Sequence, residues 1–218
     1  HAGGVVTRDQ LLKLRRLGGL DGHPDVGVPG IEANSGSLGM GISKGKGIAW
    51  AKRRLGRGGR VFVLTGDGEL QEGQNYEALL NAARQGVPQL TVIVDHNKLQ
   101  TDKPVAEISD LGDLEARFRT YGWTVLRCDG HSWADLERVF DELRRPREVP
   151  AIVIADTIKG RGVSFMEHPR ALADGRGLYR WHAGAPDDEE TQAIRDRLFR
   201  VERPDFLLHG ASQARRIA

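Results

Sequence analysis

Two short stretches carry the residues best suited to chemistry. Gly66-Asp67-Gly68 follows the apolar run Arg60–Leu64, and Asn97 follows the apolar run Leu90–Val94. An aspartate and an amide side chain at successive strand ends suit a hydrated magnesium ion that holds a phosphate ester. Magnesium takes six oxygens in near-octahedral geometry, typically one or two protein carboxylates completed by phosphate and water. Asp67 can supply the carboxylate. Asn97 can supply an oxygen without a second negative charge beside the phosphates. Gly66 and Gly68 let the backbone approach a diphosphate and offer N–H groups at the start of the next helix. Gly-Asp-Gly alone is a common turn; the Asn at the next strand end gives it meaning.

The elements around these stretches alternate. Arg60–Leu64, Leu90–Val94, Trp123–Leu126 and Ala151–Ala155 are short, β-branched runs without polar alternation. Helical patterns run through Ala83, near Leu114–Tyr121 and over Ser132–Leu143. Continuous apolar runs separated by helices predict a parallel sheet covered on both faces, the doubly wound α/β class. Such sheets bind ligands beyond the carboxyl ends of their strands. Those ends read Thr65-Gly66-Asp67-Gly68, Asp95-His96-Asn97, Asp129-Gly130-His131 and Asp156-Thr157-Ile158-Lys159-Gly160. Thr7-Arg8-Asp9-Gln10 reads as a capping box opening an amphipathic helix. Residues 18–37 read as loop. A helix is expected from Leu38 to Leu55 although four glycines interrupt it; each costs about 1 kcal/mol, so close packing or a nearby ligand is implied. A long loop is expected over Arg161–Trp181, then a helix over Asp187–Phe199.

Composition narrows the function. The chain has 218 residues, 39% hydrophobic, enough for one sizeable core. Its 28 glycines exceed the roughly 7% usual for proteins and gather at 27–47, 66–73 and 160–162. With 32 basic and 30 acidic residues the net charge is only +2. Lys52-Arg53-Arg54 and Arg144-Arg145-Pro146-Arg147 read as solvated helix ends, so nucleic acid is not an expected partner. A lone Cys128 excludes an internal disulfide and a thiolate cluster, and its place after an apolar run makes it a buried or half-buried thiol. No run approaches the length of about 18 apolar residues that spans a membrane, and no signal-peptide pattern is present. No membrane association and a cytoplasmic location are expected.

At this point the sequence resembles a family. Gly66-Asp67-Gly68 through Asp95-His96-Asn97-Lys98 is similar to the thiamine diphosphate motif, and Glu69-Leu70-Gln71-Glu72-Gly73 is close to its transketolase form. Three further stretches agree in order. Gly22-His23-Pro24-Asp25, Pro29-Gly30-Ile31-Glu32 and Ser35-Gly36-Ser37-Leu38-Gly39 resemble the transketolase donor and cofactor loop. Tyr121-Gly122-Trp123 with Asp129-Gly130-His131 resembles the following αβ unit. Thr157 through Glu167 resembles the lid of two-gene, split transketolases. The resemblance runs from about Val5 to Phe199.

The resemblance implies the diphosphate-binding domain of the thiamine diphosphate fold, one domain over residues 1–218 with a lid at 161–182 and a helical tail at 187–218. It implies a transferase that moves a two-carbon ketol unit from a ketose phosphate to an aldose, with thiamine diphosphate as electron sink. Asp67, Asn97 and the main-chain carbonyl of Leu99 would hold Mg2+, or Ca2+ or Mn2+ in its place. Gly36, Leu38, Gly66, Gly68, Glu69 and Lys159 would contact the cofactor. Lys159 otherwise reads as a solvated lysine. Glu72, and less directly Glu77, match an acid network between paired cofactors; the other reading of Glu72 is an ion pair at a helix start. His23 matches the histidine near the donor's terminal hydroxyl, and His182 the histidine before Gly-Ala-Pro, although Ala183 intervenes here. His96, His131 and His168 carry no family role and read as packing or surface residues.

His1-Ala2 looks like a further family histidine, but lies too close to His23 to be assigned. Nothing after Phe199 reads as a pyrimidine-binding domain. A separate pyrimidine-binding and carboxy-terminal subunit is therefore expected, in an α2β2 heterotetramer. The alternatives are a transketolase-like enzyme with a different acyl donor in specialised metabolism, and a non-catalytic assembly subunit.

Overall fold

The computed structural model describes residues 4–172, 177–184 and 186–201. They fall into two compact units, the first of residues 1–100 and 104–157, the second of residues 101–103 and 158–218. His1 and the end of the 187–218 tail lie outside the described residues, as do residues 173–176 of the expected lid.

In the first unit, α1 (Arg8–Leu12) is capped as its sequence predicts: Thr7 Oγ1 accepts the Gln10 N–H, and the Gln10 side chain returns to the Thr7 N–H at 2.8 Å. It ends after five residues and buries none of them. The chain then runs as loop to α2 (Gly41–Arg54), and β1 (Val61–Gly66) follows. A 3-10 turn (Gly68–Gln71) leads to α3 (Gly73–Arg84) and β2 (Leu90–His96). After β3 (Leu99–Gln100), β4 (Lys103–Pro104, its first residue counted with the second unit) and α4 (Val105–Ile108) come α5 (Leu114–Thr120), β5 (Thr124–Asp129), α6 (Trp133–Arg144) and β6 (Ala151–Asp156). Sequence periodicity did not signal β3, β4 or α4, which are too short to show a period.

The main sheet is all parallel in the order β1-β2-β6-β5. Its topology explains which face each helix covers. From β1 to β2 to β5 the chain moves in one direction across the sheet, and from β5 it turns back to β6. Right-handed crossovers then place α3 and α5 on one face and α6 on the other. The core divides accordingly. Val92, Val94, Ile152 and Ile154 pack with Ile42, Leu79 and Phe118, whereas Ala151, Val153, Ala155 and Cys128 pack with Val139 and Leu143. Trp123 ties the first layer together by donating its indole N–H to the Leu79 carbonyl at 2.9 Å.

The glycines of α2 serve packing. A Cβ at Gly45 would lie 2.3 Å from Val63 Cγ2, and one at Gly41 3.2 Å from Val63 Cγ1. The helix therefore rides directly on β1. Gly47 on the same helix meets nothing within 4 Å. Arg53 and Arg144 lie at helix ends, as expected: Arg53 donates to the Gln85 and Gly86 carbonyls, and Arg144 pairs with Asp141. Arg147 departs from that expectation: it lies past the end of α6, half-buried, and donates to the Leu143 carbonyl at 2.6 Å and to the Thr91 hydroxyl at 2.9 Å. No described helix is long and apolar enough to cross a membrane.

The second unit holds α7 (His168–Leu172) and α8 (Asp188–Val201). The expected loop over Arg161–Trp181 thus contains a helix, closed by the Ala171 N–H donating to the Glu167 carbonyl at 2.9 Å. Five residues are too few to reveal a helical period. Residues 159–168 form a closed turn, with the His168 N–H on the Lys159 carbonyl at 3.0 Å and the Lys159 N–H on His168 Nδ1 at 3.2 Å.

Candidate functional site

The carboxyl ends of β1 and β2 lie side by side, in register from Val61 and Leu90 through Gly66 and Asp95. The Asp67 N–H continues this ladder to the Asp95 carbonyl at 3.2 Å. The chain after β2 then turns sharply: Lys98 has φ 66, a left-handed conformation that a side chain adopts only at a cost. At this turn the Lys98 N–H donates to Asp67 Oδ2, 2.5 Å away. Asp67 is thereby held against the segment whose neighbours on either side are Asn97 and Leu99.

Asp67 is 1% exposed. Burial pushes its carboxyl above the ordinary aspartate value, against the opposing effect of the N–H groups of Lys98 and Gly68. Each of its oxygens accepts one backbone N–H, from Gly68 at 2.8 Å and from Lys98. Lone pairs remain on both, and no lysine, arginine or histidine pairs with it among the described residues. A buried carboxylate needs a counter-charge. Asn97 is also buried; its Oδ1 accepts the Leu99 N–H at 2.9 Å and its Nδ2 donates to Asp95 Oδ2 at 3.2 Å. Asp95 in turn accepts the Thr157 hydroxyl. This chain of bonds fixes which end of the amide is oxygen. One carboxylate, one amide oxygen and main-chain carbonyls fit a hard cation completed by phosphate and water. Among the described residues, no group of three or more His, Cys, Asp or Glu side chains offers an alternative metal site. Beside Asp67, a Cβ on Gly66 would meet nothing within 4 Å, so the strand tip faces open space.

The loop before α2 carries the other residues expected to contact the cofactor. Gly36, with φ 118, lies against the His23 ring so closely that a Cβ would sit 2.8 Å from it. Gly39, with φ 80, lies against Glu72, whose Cβ would be 2.6 Å from a Gly39 Cβ. Gly36, Leu38 and Glu69 line a cavity of ≈ 590 Å³ between this loop, α2 and β1. Asp67 and Asn97 do not line it. Glu72 is exposed and makes no side-chain cap on α3; Glu77 is exposed too.

In the second unit Lys159 Nζ lies 2.8 Å from His182 Nδ1 and 5.5 Å from the Tyr179 ring centroid. An ammonium only donates, so Nδ1 accepts and the ring proton sits on Nε2. Burial, then the Lys159 charge, hold His182 below the ordinary histidine value. The two residues singled out by the lid and Gly-Ala-Pro stretches are thus hydrogen-bond partners. His168 is bonded to the Lys159 backbone and His96 pairs with Asp156 at 3.1 Å, both structural duties.

Sequence reasoning missed the hub at Asp156. It accepts Arg127 at 2.6 and 3.0 Å and Lys98 at 2.7 Å, besides facing His96. Burial raises its pKa, but the hydrogen bonds from Arg127 and Lys98 outweigh that and hold it far below the usual carboxylate range. No local spacing announces a pair whose members lie 29 residues apart on separate strands.

Comparison with known proteins gives this geometry its context. A family model described as "Transketolase, thiamine diphosphate binding domain" matches residues 2–198. The chain belongs to this transketolase family. It is 35% identical over 205 residues to a subunit of the apulose-4-phosphate transketolase of Phocaeicola vulgatus, covering 93% of this chain and 70% of that protein. It is 36% identical over 138 residues to a 6-deoxy-6-sulfo-D-fructose transketolase subunit of a Clostridium species, covering 63% and 50%. Its fold is that of the transketolase from Leishmania mexicana, with a TM-score of 0.72 at 22% identity over 99% of this chain and 35% of that one. The chain thus spans part of the length of its relatives, and what it shares with the family is the thiamine diphosphate binding domain.

Proposed function

We propose that this chain is the diphosphate- and metal-holding half of a transketolase that moves a two-carbon ketol unit from a ketose phosphate to an aldose. The observation that carries the reading is the clamp between Asp67 and the Lys98 N–H, which ties Asp67 to the segment that bears Asn97 and Leu99 at the tips of β1 and β2. There Asp67, the Asn97 amide oxygen and the Leu99 carbonyl would hold Mg2+, and Ca2+ or Mn2+ could take its place. Gly66 would leave room for the diphosphate, Gly68 packs against Gln100 while its N–H orients Asp67, and Gly36, Leu38 and Glu69 would bound the site on the side of the loop before α2. Thiamine diphosphate, when bound, supplies an electron sink for breaking and forming a carbon–carbon bond.

The remaining roles belong to side chains of this chain. His23, packed on Gly36, would meet the donor's hydroxyls. His182, kept neutral with its proton on Nε2, would donate a hydrogen bond to substrate oxygen, with Lys159 fixing the tautomer. Residues 161–182 would act as a lid, and Glu72 would face a second cofactor across a subunit interface. The chain would work as a single module with a pyrimidine-binding partner subunit, in an α2β2 assembly in the cytoplasm. The Phocaeicola and Clostridium relatives are each named as one subunit of a transketolase, which supports a partner. The two names carry different sugars, which favours leaving the donor open within the ketose class, including a donor from specialised metabolism.

The test is ketol transfer by the chain mixed with a pyrimidine-binding transketolase subunit. Asp67→Ala abolishes transfer while the far-ultraviolet circular dichroism of the chain is retained. Undiminished turnover in that variant refutes the assignment, and a wild-type pair that binds no thiamine diphosphate leaves only the non-catalytic assembly reading.

A further inference from the structure

Glu69 resembles a cofactor contact by its place in the motif, yet its carboxylate is occupied by the protein itself. Oε1 accepts the Gly39 N–H at 2.8 Å. Oε2 accepts the Thr65 hydroxyl at 2.7 Å and the Gly66 N–H at 3.3 Å. Three donors from two segments therefore converge on one side chain. One segment is the loop carrying Gly36 and Leu38; the other is the tip of β1, which leads directly into Asp67.

We infer that Glu69 is a positioning residue that sets the separation between the Gly36–Leu38 loop and the Asp67 turn. This rests on the proposed function in that both elements are taken as walls of one cofactor site. Both ends of the brace are fixed. The Glu69 carbonyl accepts Asn75 Nδ2 at 2.7 Å, and Asn75 is 0% exposed. Gly39 is buried and bears against Glu72 so closely that even a methyl group has no room. With its own backbone anchored and its target packed closely, the carboxylate acts as a strut. Hydrogen bonds to an ionised acceptor are roughly twice as strong as neutral ones, and an ionised carboxylate is the one side chain that accepts from all three donors at once. A glutamine can accept from Gly39 and donate to the Thr65 oxygen, but it then leaves the Gly66 N–H without an acceptor. The Lys44 ammonium on the Asn34 carbonyl, at 2.6 Å, also ties the loop down.

The experiment compares wild type, Glu69→Gln and Thr65→Val. Hydrogen exchange of the chain alone, read at the Gly39 amide, needs no cofactor. Exchange there rises at least tenfold in Glu69→Gln while the β2 and β6 amides keep their protection. In the reconstituted pair the apparent KM for thiamine diphosphate rises about tenfold, with kcat at saturating cofactor within twofold of wild type. Thr65→Val, which removes one donor of three, shifts both in the same direction by less. A merely structural role would raise exchange across α2 and β1 together and leave the KM unmoved. Unchanged Gly39 exchange in Glu69→Gln overturns the inference, as does a fall in kcat with KM unaltered. A wild-type pair that binds no cofactor sinks the proposed function instead, and is distinguishable because the exchange result stands without it.

Discussion

Asp67 and Lys98 are 31 residues apart in the chain, and the carboxylate of one accepts the main-chain N–H of the other at 2.5 Å. The bond lies at a sharp turn in which Lys98 adopts φ 66. An extended residue there would redirect the chain after it, Leu99 included, away from the turn. A left-handed lysine at a strand tip is strain retained where it shapes a site.

The burial of Asp67 has a pH consequence. Its carboxyl pKa is raised in the folded chain above the ordinary aspartate value. The stability this contributes is complete below the unfolded value and is lost as pH rises through the folded one. Thermal melts of the metal-free chain, followed upward in pH from below the ordinary aspartate value, should therefore show a decline that Asp67→Asn flattens. At neutral pH, Mg2+ with thiamine diphosphate should raise the Tm of wild type and leave that of Asp67→Asn unmoved. Parallel melting curves for both proteins, with and without ligand, would be inconsistent with this.

Two glycines on α2 should respond oppositely to alanine. At Gly45 the new methyl would sit 2.3 Å from Val63 Cγ2, and overpacking of this kind costs about 1–3 kcal/mol. At Gly47 the methyl meets nothing, and replacing a mid-helix glycine stabilises by roughly 0.5–1 kcal/mol. Denaturant titration should show Gly45→Ala moving to a lower midpoint and Gly47→Ala to a higher one. Equal shifts for both would contradict the packing of α2 on β1.

His182 should titrate below an ordinary histidine, because partial desolvation and the Lys159 ammonium at 2.8 Å both disfavour the charged ring. Heteronuclear NMR should find the neutral ring with its proton on Nε2. Lys159→Met should raise the His182 pKa toward the ordinary value of about 6.5 and mix the tautomers. An unaltered titration curve would dissolve the pair.

Much of this was legible in the sequence because it is local. Four β-branched runs marked the parallel sheet, and Gly66-Asp67-Gly68 with Asn97 marked the strand tips that meet. Thr7 and Gln10 announced their own capping box. The rest depends on residues remote in sequence. The glycines of α2 could have meant a ligand or close packing, and only the distance to Val63 decides. Arg127 and Asp156 sit on different strands, and Glu69 braces a loop 30 residues upstream. Nothing in the one-dimensional pattern says that Lys98 turns left-handed.

The most direct test of the account is the paramagnetic resonance of Mn2+ added with thiamine diphosphate to the chain and a pyrimidine-binding transketolase subunit. One Mn2+ per chain, coupled to cofactor phosphorus, is predicted for wild type and lost in the Asp67→Ala, Asn97→Ala double variant. The same phosphorus-coupled Mn2+ in the double variant would contradict it.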